Sequence, residues 1–135
     1  MTVPMTSFLR NTLFADAATG ASAAVLTITA SGFLSSLLGL PAALIFWAGV
    51  ALLPIVAFLL VMARRNDVPR SWLREIVLIN WIWVAFSFAI LLSGLVQPNL
   101  LGVLFVVAQA LAVALFATLQ GLVLRAAGGA TARVA

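Results

Sequence analysis

The chain has 135 residues, of which 65% are hydrophobic and 7% charged, and its net charge of +4 comes from seven arginines against three acidic residues. Soluble domains are about 45–50% apolar and about 25% charged, and a soluble fold of this length exposes too much of its surface to hide so many apolar side chains. The composition therefore excludes a soluble globular domain and predicts that lipid surrounds most of the chain.

Cysteine and histidine are both missing from the sequence. Without them the chain cannot form disulfides, Cys/His zinc sites or His-ligated haem. It also lacks histidine as a general base, the residue that most often has this role in enzymes. The sequence also lacks a glycine-rich phosphate loop and a Ser/His/Asp set. We therefore predict no cofactor, no metal site and no catalytic residue. Since the arginines flank apolar segments, we read the basic charge as a membrane feature and expect no nucleic-acid partner.

The first membrane span is predicted over residues 16–38 and is the least hydrophobic of four. Small residues recur four apart in it, at Ala17/Ala21 and Gly20/Ala24, which allows another helix to approach closely. Asp16 at the start of this span suits the positive end of the helix dipole. Ahead of it, residues 5–14 are predicted to lie at the membrane surface as a short amphipathic helix, or else to fray.

The second span is predicted over residues 41–63, after a turn at Gly39. It is apolar all round, and Pro54 near its middle is expected to kink the helix. The main polar segment follows as a linker over residues 64–71. Four arginines in or beside this linker are predicted to determine topology and to contact anionic lipid headgroups: Arg64, Arg65, Arg70 and Arg74.

The third and fourth spans are predicted over residues 72–94 and 100–125, followed by a flexible tail over residues 126–135. Each span is long enough to cross the hydrocarbon core of about 30 Å at about 1.5 Å per residue. The predicted fold is all-α: a single membrane domain over residues 1–135 that forms a polytopic transmembrane four-helix bundle, with two antiparallel hairpins joined by a basic cytoplasmic linker.

Arginine positions predict the orientation of the chain. Arg10 precedes span 1, the linker arginines lie between spans 2 and 3, and Arg125 and Arg133 follow span 4. Four crossings place these regions on one side of the membrane, and the opposite side then has no arginine. The positive-inside rule puts both termini and the linker in the cytoplasm. We expect a multi-pass protein of the inner, or plasma, membrane.

Five residues form the candidate polar site within the spans: Asn80, Trp83, Ser87, Gln109 and Thr118. Helix rise places Ser87 and Gln109 at similar depth, roughly 20 Å from the cytoplasmic end, and places Asn80 near the level of Thr118. One reading is that these residues form interhelical hydrogen bonds that fix helix register, worth about 0.6 kcal/mol each. The other is a small polar pocket for a lipid headgroup, a quinone or another small ligand. No charged side chain is predicted deep inside a span.

Two patterns in spans 3 and 4 carry a family resemblance. The first is Asn80-x-x-Trp83-Val84-x-x-Ser87 followed by Leu91-Leu92, and the second is Gly102-x-x-Phe105-Val106-x-x-Gln109-Ala110-Leu111. With Gly39-Leu40-Pro41-Ala42, they resemble a pattern in small uncharacterised four-span bacterial proteins, which implies the same fold and an inner-membrane location. The four-span layout is also similar to that of small multidrug transporters, but span 1 lacks their mid-membrane glutamate.

Three function hypotheses follow. The leading one is a small structural or accessory membrane protein that packs against copies of itself or a larger membrane complex, because small residues line its helices and reactive groups are scarce. The alternative is a small transporter or a protein that binds a lipid-type or quinone-type ligand in an Asn80/Ser87/Gln109 pocket. A membrane-embedded enzyme is the third, and it would have to use Asp16 or Glu75.

Overall fold

The computed structural model describes residues 1–129 in full and residues 130–134 by their backbone alone. It contains five helices and two three-residue strands in chain order. The elements are β1 (Thr2–Pro4), α1 (Ser7–Thr29), α2 (Ser31–Leu38), α3 (Ala42–Ala63), β2 (Asp67–Pro69), α4 (Arg70–Leu92) and α5 (Leu100–Val134). Within the described residues, four of the helices are long and apolar enough to cross a membrane: α1, α3, α4 and α5.

The first long helix begins nine residues earlier than predicted. The Thr6 hydroxyl accepts a hydrogen bond from the Leu9 amide at 3.1 Å, which caps the helix and starts it at Ser7. The predicted surface helix over residues 5–14 is therefore wrong, because this segment is the first part of α1. Ala30 interrupts the helix (φ −118°, ψ 26°), and α2 continues from Ser31 to Leu38.

The other predicted spans agree with the structure to within two residues, except at the end of α5. Residues 126–129 continue that helix, whereas the sequence predicted a flexible tail. The remainder of the predicted tail, with the side chain of Arg133, lies outside the fully described residues. Pro54 lies inside α3, as predicted.

The short strands tie the N-terminus to the linker. β1 pairs antiparallel with β2, with Val3 opposite Val68. Arg10 reinforces this end, since its guanidinium donates to the carbonyl oxygens of Ala63 and Arg65, both at 3.0 Å. The N-terminus and the linker therefore lie at the same end of the molecule, which we call the arginine end.

Helix packing leaves the middle of the protein less tightly filled than its ends. α1 packs mainly on α3, α4 packs mainly on α5, and α3 makes little direct contact with α4. One apolar cluster fills the arginine end around Leu9, Leu59 and Leu73. A second fills the opposite end around Leu38 and Ile45. The cavities described below reach both clusters, because Val56 and Leu59 of the first cluster and Leu40 and Ile45 of the second are among the residues that line them.

Candidate functional site

A carboxylate and two amides meet between α1, α4 and α5. Asp16 Oδ2 accepts hydrogen bonds from Asn80 Nδ2 at 3.0 Å and from Gln120 Nε2 at 2.7 Å. Asn80 Nδ2 also donates to Gln120 Oε1 at 3.0 Å, which closes the network. All three side chains are buried, with 6%, 4% and 0% of their surface exposed. We call these three residues the carboxylate network.

The position of Asp16 corrects the sequence interpretation. Because α1 starts at Ser7, Asp16 lies nine residues into the helix, about 14 Å from its first residue. It is therefore an interior acidic residue and does not serve the helix N-terminus. The sequence did contain a signal for this, since Leu9, Leu13 and Ala17 repeat every four residues on one buried face. Asp16, three residues after Leu13, falls on the same face.

One carboxylate oxygen has no partner inside the protein. Both amides donate to Asp16 Oδ2, and no described residue donates a hydrogen bond to Asp16 Oδ1. Among the described residues, no fully buried side-chain oxygen or nitrogen lacks a hydrogen-bond partner. Since Oδ1 has no partner, part of its surface must therefore be accessible. Asp16 lines a cavity of about 70 Å³. A group that enters this cavity can therefore reach a free acceptor.

A second polar group joins α4 to α5 farther from the arginine end. Trp83 Nε1 donates to Gln109 Oε1 at 2.8 Å, and Gln109 Nε2 donates to Ser87 Oγ at 2.9 Å and to the Val106 carbonyl at 2.8 Å. Ser87 Oγ donates to the Trp83 carbonyl at 2.8 Å. The structure thus brings Ser87 and Gln109 together, as helix rise predicted. Each donor in this trio is already used, so it holds α4 against α5.

The other two members of the predicted polar set lie elsewhere. Asn80 donates to Gln120, which lies two residues, or about 3 Å of helix rise, beyond Thr118. Thr118 is exposed, and its hydroxyl donates to the Ala114 carbonyl one turn back. Two residues correspond to a rotation of about 200° around a helix, so Thr118 and Gln120 lie on opposite faces of α5. Gln120 was missed because helix rise gives the depth of a residue, which differs by only about 3 Å between Thr118 and Gln120, and does not give the face of the helix on which it lies.

Two adjoining cavities lie beside these polar groups. The larger has a volume of about 340 Å³ and is lined by α1, α3, α4, α5 and Leu40. Trp83 and Gln109 line both this cavity and the 70 Å³ cavity that contains Asp16, so the pair stands between them. Trp47 and Phe86 also line the larger cavity, yet they are 63% and 58% exposed. These two rings therefore mark a mouth between α3 and α4 that opens toward the surroundings of the protein.

The linker arginines lie on the surface of the arginine end. Arg64, Arg65, Arg70 and Arg74 are all exposed. The Arg65 guanidinium lies 5.2 Å from the centre of the Trp72 ring and donates to the Asp67 carbonyl at 3.1 Å. This arrangement leaves a basic rim around the first turn of α4. Among the described residues, no group of three or more acidic, histidine or cysteine side chains could hold a metal ion.

Comparison with protein-family models, with curated proteins and with solved structures finds no match to this chain.

Proposed function

We propose that this protein binds a small, largely apolar molecule inside the membrane, in the cavity between α3 and α4. The 340 Å³ cavity supports this function most directly. Its volume falls in the range of about 300–1,000 Å³ that is typical of small-molecule sites. The mouth at Trp47 and Phe86 lies on a helix pair of membrane-spanning length, so the molecule enters from the lipid phase.

The polar trio defines one wall of this site. Trp83, Ser87 and Gln109 satisfy one another, so a ligand there meets mainly apolar surface. This modifies the predicted pocket, because Asn80 belongs to the carboxylate network and the trio has no spare donor for a quinone carbonyl. The ligand class that fits is an amphiphile with an apolar body.

Self-association, the leading hypothesis from the sequence, stands as the alternative to this proposal. The small residues that suggested it are largely used within the chain, since Ala17 and Ala24 on α1 are buried. A Cβ atom on Gly20 would lie 3.0 Å from Val56 on α3. These contacts account for the small-residue face without a second copy of the protein.

We also propose that the helices form a four-helix bundle in the plasma membrane, with the arginine end in the cytoplasm. The exposed linker arginines support this orientation, because cytoplasmic loops carry an excess of basic residues. The same arginines suit contact with anionic headgroups, at about 1 kcal/mol per basic residue near the surface. A single orientation then places the carboxylate network in the cytoplasmic half of the membrane.

Fluorescence of single-tryptophan variants tests the binding site. Trp81 and Trp83 are two residues apart on α4, but only Trp83 lines the cavities. In lipid nanodiscs we expect 8-bromo-1-octanol to quench Trp83 saturably and 1-octanol to reverse that quenching, because the two compete for one site. We expect quenching of the exposed Trp81 to rise in proportion to the bromo-octanol dissolved in the lipid. Linear, non-competed quenching at both positions would contradict the proposal.

A further inference from the structure

We infer that the ligand carries a primary ammonium group that binds Asp16 Oδ1, while its apolar body fills the larger cavity. This inference rests on the proposed binding function and adds the chemistry of the ligand head. It follows from three observations: the unused acceptor on Asp16, the size of the cavity beside it, and the residues that line both this cavity and the larger one.

The unused acceptor is open to a donor from outside the chain. A carboxylate within the membrane is costly unless it is paired or hydrogen-bonded. Asn80 and Gln120 supply two donors, both to Oδ2. The other charged side chains that the structure describes on the contacting helices are Arg10, Arg70, Arg74, Glu75 and Arg125, and the hydrogen bonds to Asp16 come from Asn80 and Gln120 instead. An ammonium group would supply both the opposite charge and an N–H donor for Oδ1.

The size of the smaller cavity restricts the head group. Its volume of about 70 Å³ is about a fifth of that of the larger cavity, so it suits a small head group and not the apolar body. An –NH₃⁺ group on a methylene carbon matches this space. A quaternary ammonium is bulkier and has no N–H to donate, so we expect the site to discriminate against it.

A molecule that spans both cavities has to pass the residues that line both of them. Ala23, Leu52, Trp83 and Gln109 line the smaller and the larger cavity alike. A ligand that enters between Trp47 and Phe86 has its body against apolar side chains and its head toward Asp16. Trp83 lies along this path, since it lines both cavities.

Three matched ligands test this inference on the full-length protein in nanodiscs: 4-phenylbutylamine, 4-phenylbutanol and 4-phenylbutyltrimethylammonium. Competition against 8-bromo-1-octanol at Trp83 gives the affinity of each. We expect the amine to bind about 10- to 100-fold more tightly than the alcohol, the gain expected of a hydrogen bond with a charged partner. We expect the quaternary compound to bind no better than the alcohol.

The variant Asp16→Asn should bind the amine and the alcohol equally, because the amide keeps the shape of the side chain and loses its charge. Saturable quenching of Trp83 by 8-bromo-1-octanol in this variant shows that the larger cavity, which Asp16 does not line, is folded. Glu75→Gln, which removes an exposed carboxylate from α4, is the matched control and should keep the preference for the amine.

The other outcomes each overturn a specific claim. Three outcomes would overturn the ammonium site and leave the cavity function intact. The unmodified protein could bind the amine and the alcohol equally, or Asp16→Asn could keep the preference for the amine. The third such outcome is binding of the quaternary compound as tight as that of the amine. Binding of none of the three ligands would overturn the cavity function as well.

Discussion

Replacing Asn80 with leucine is expected to lower the free energy of unfolding by about 3 kcal/mol, because it removes one of the two donors to a buried carboxylate. The change also leaves Gln120 Oε1 without its donor. The loss should be measurable by titrating the protein from mild detergent into denaturing detergent. It should exceed the cost of removing a neutral interhelical hydrogen bond, which averages about 0.6 kcal/mol in membranes.

Ser87→Ala is the matched control for this prediction. Ser87 is buried on the same face of α4 as Asn80, two turns farther on, and takes part in an uncharged hydrogen bond with Gln109. A double-mutant cycle isolates the contribution of the charge. In an Asp16→Asn background, Asn80→Leu should cost about as much as Ser87→Ala. If Asn80→Leu and Ser87→Ala lower the free energy of unfolding by the same amount with Asp16 intact, the hydrogen bond to the Asp16 carboxylate does not stabilise the protein as described.

Replacing Gly102 with alanine is expected to cost about 3 kcal/mol, the upper part of the range for over-packing. A Cβ atom there would overlap the carbonyl oxygen of Leu38 and lie 2.7 Å from Pro98 Cβ. Backbone cannot move aside as a flexible side chain can. The substitution would also disturb Asn99, whose backbone amide donates to the same Leu38 carbonyl at 3.1 Å.

Gly121→Ala provides the control on the same helix. A Cβ atom at Gly121 would lie 3.9 Å from Val77, an ordinary contact. Alanine is favoured over glycine in helices by about 1 kcal/mol, so this variant should be as stable as the unmodified protein or more so. Equal loss of stability in the two variants would show that α5 does not approach Leu38 as the structure has it.

Hydrophobicity and charge were enough to predict four long apolar helices and a basic segment between the second and third. They misplaced the start of α1 because Thr6, Arg10 and Thr12 lower the hydropathy of its first turns, although the apolar repeat of Leu9 and Leu13 was visible. The strands were missed because three residues show no periodicity, and they pair across more than sixty positions.

The candidate site was only partly predictable for a related reason. Helix rise gives depth, and it correctly brought Ser87 level with Gln109. It does not give the rotation of one helix against another, which depends on close approaches such as that of Gly102 to Leu38. The choice of Thr118 over Gln120 was wrong for that reason. The cavities are a property of packing and have no counterpart in a linear pattern.

Single-cysteine labelling most directly tests the central claim, that Asp16 lies inside a protein that crosses the membrane four times with its arginine end in the cytoplasm. The chain has no cysteine of its own, so a thiol placed at one exposed residue reports that position alone. In intact cells, we expect a membrane-impermeant maleimide to label cysteines at Ser36 and Gln97. We expect it to reach cysteines at Thr2 and Asn66 only after the membrane is opened. Labelling of Thr2 and Asn66 from opposite sides would contradict the pairing of β1 with β2 and, with it, the burial of Asp16 against α4 and α5.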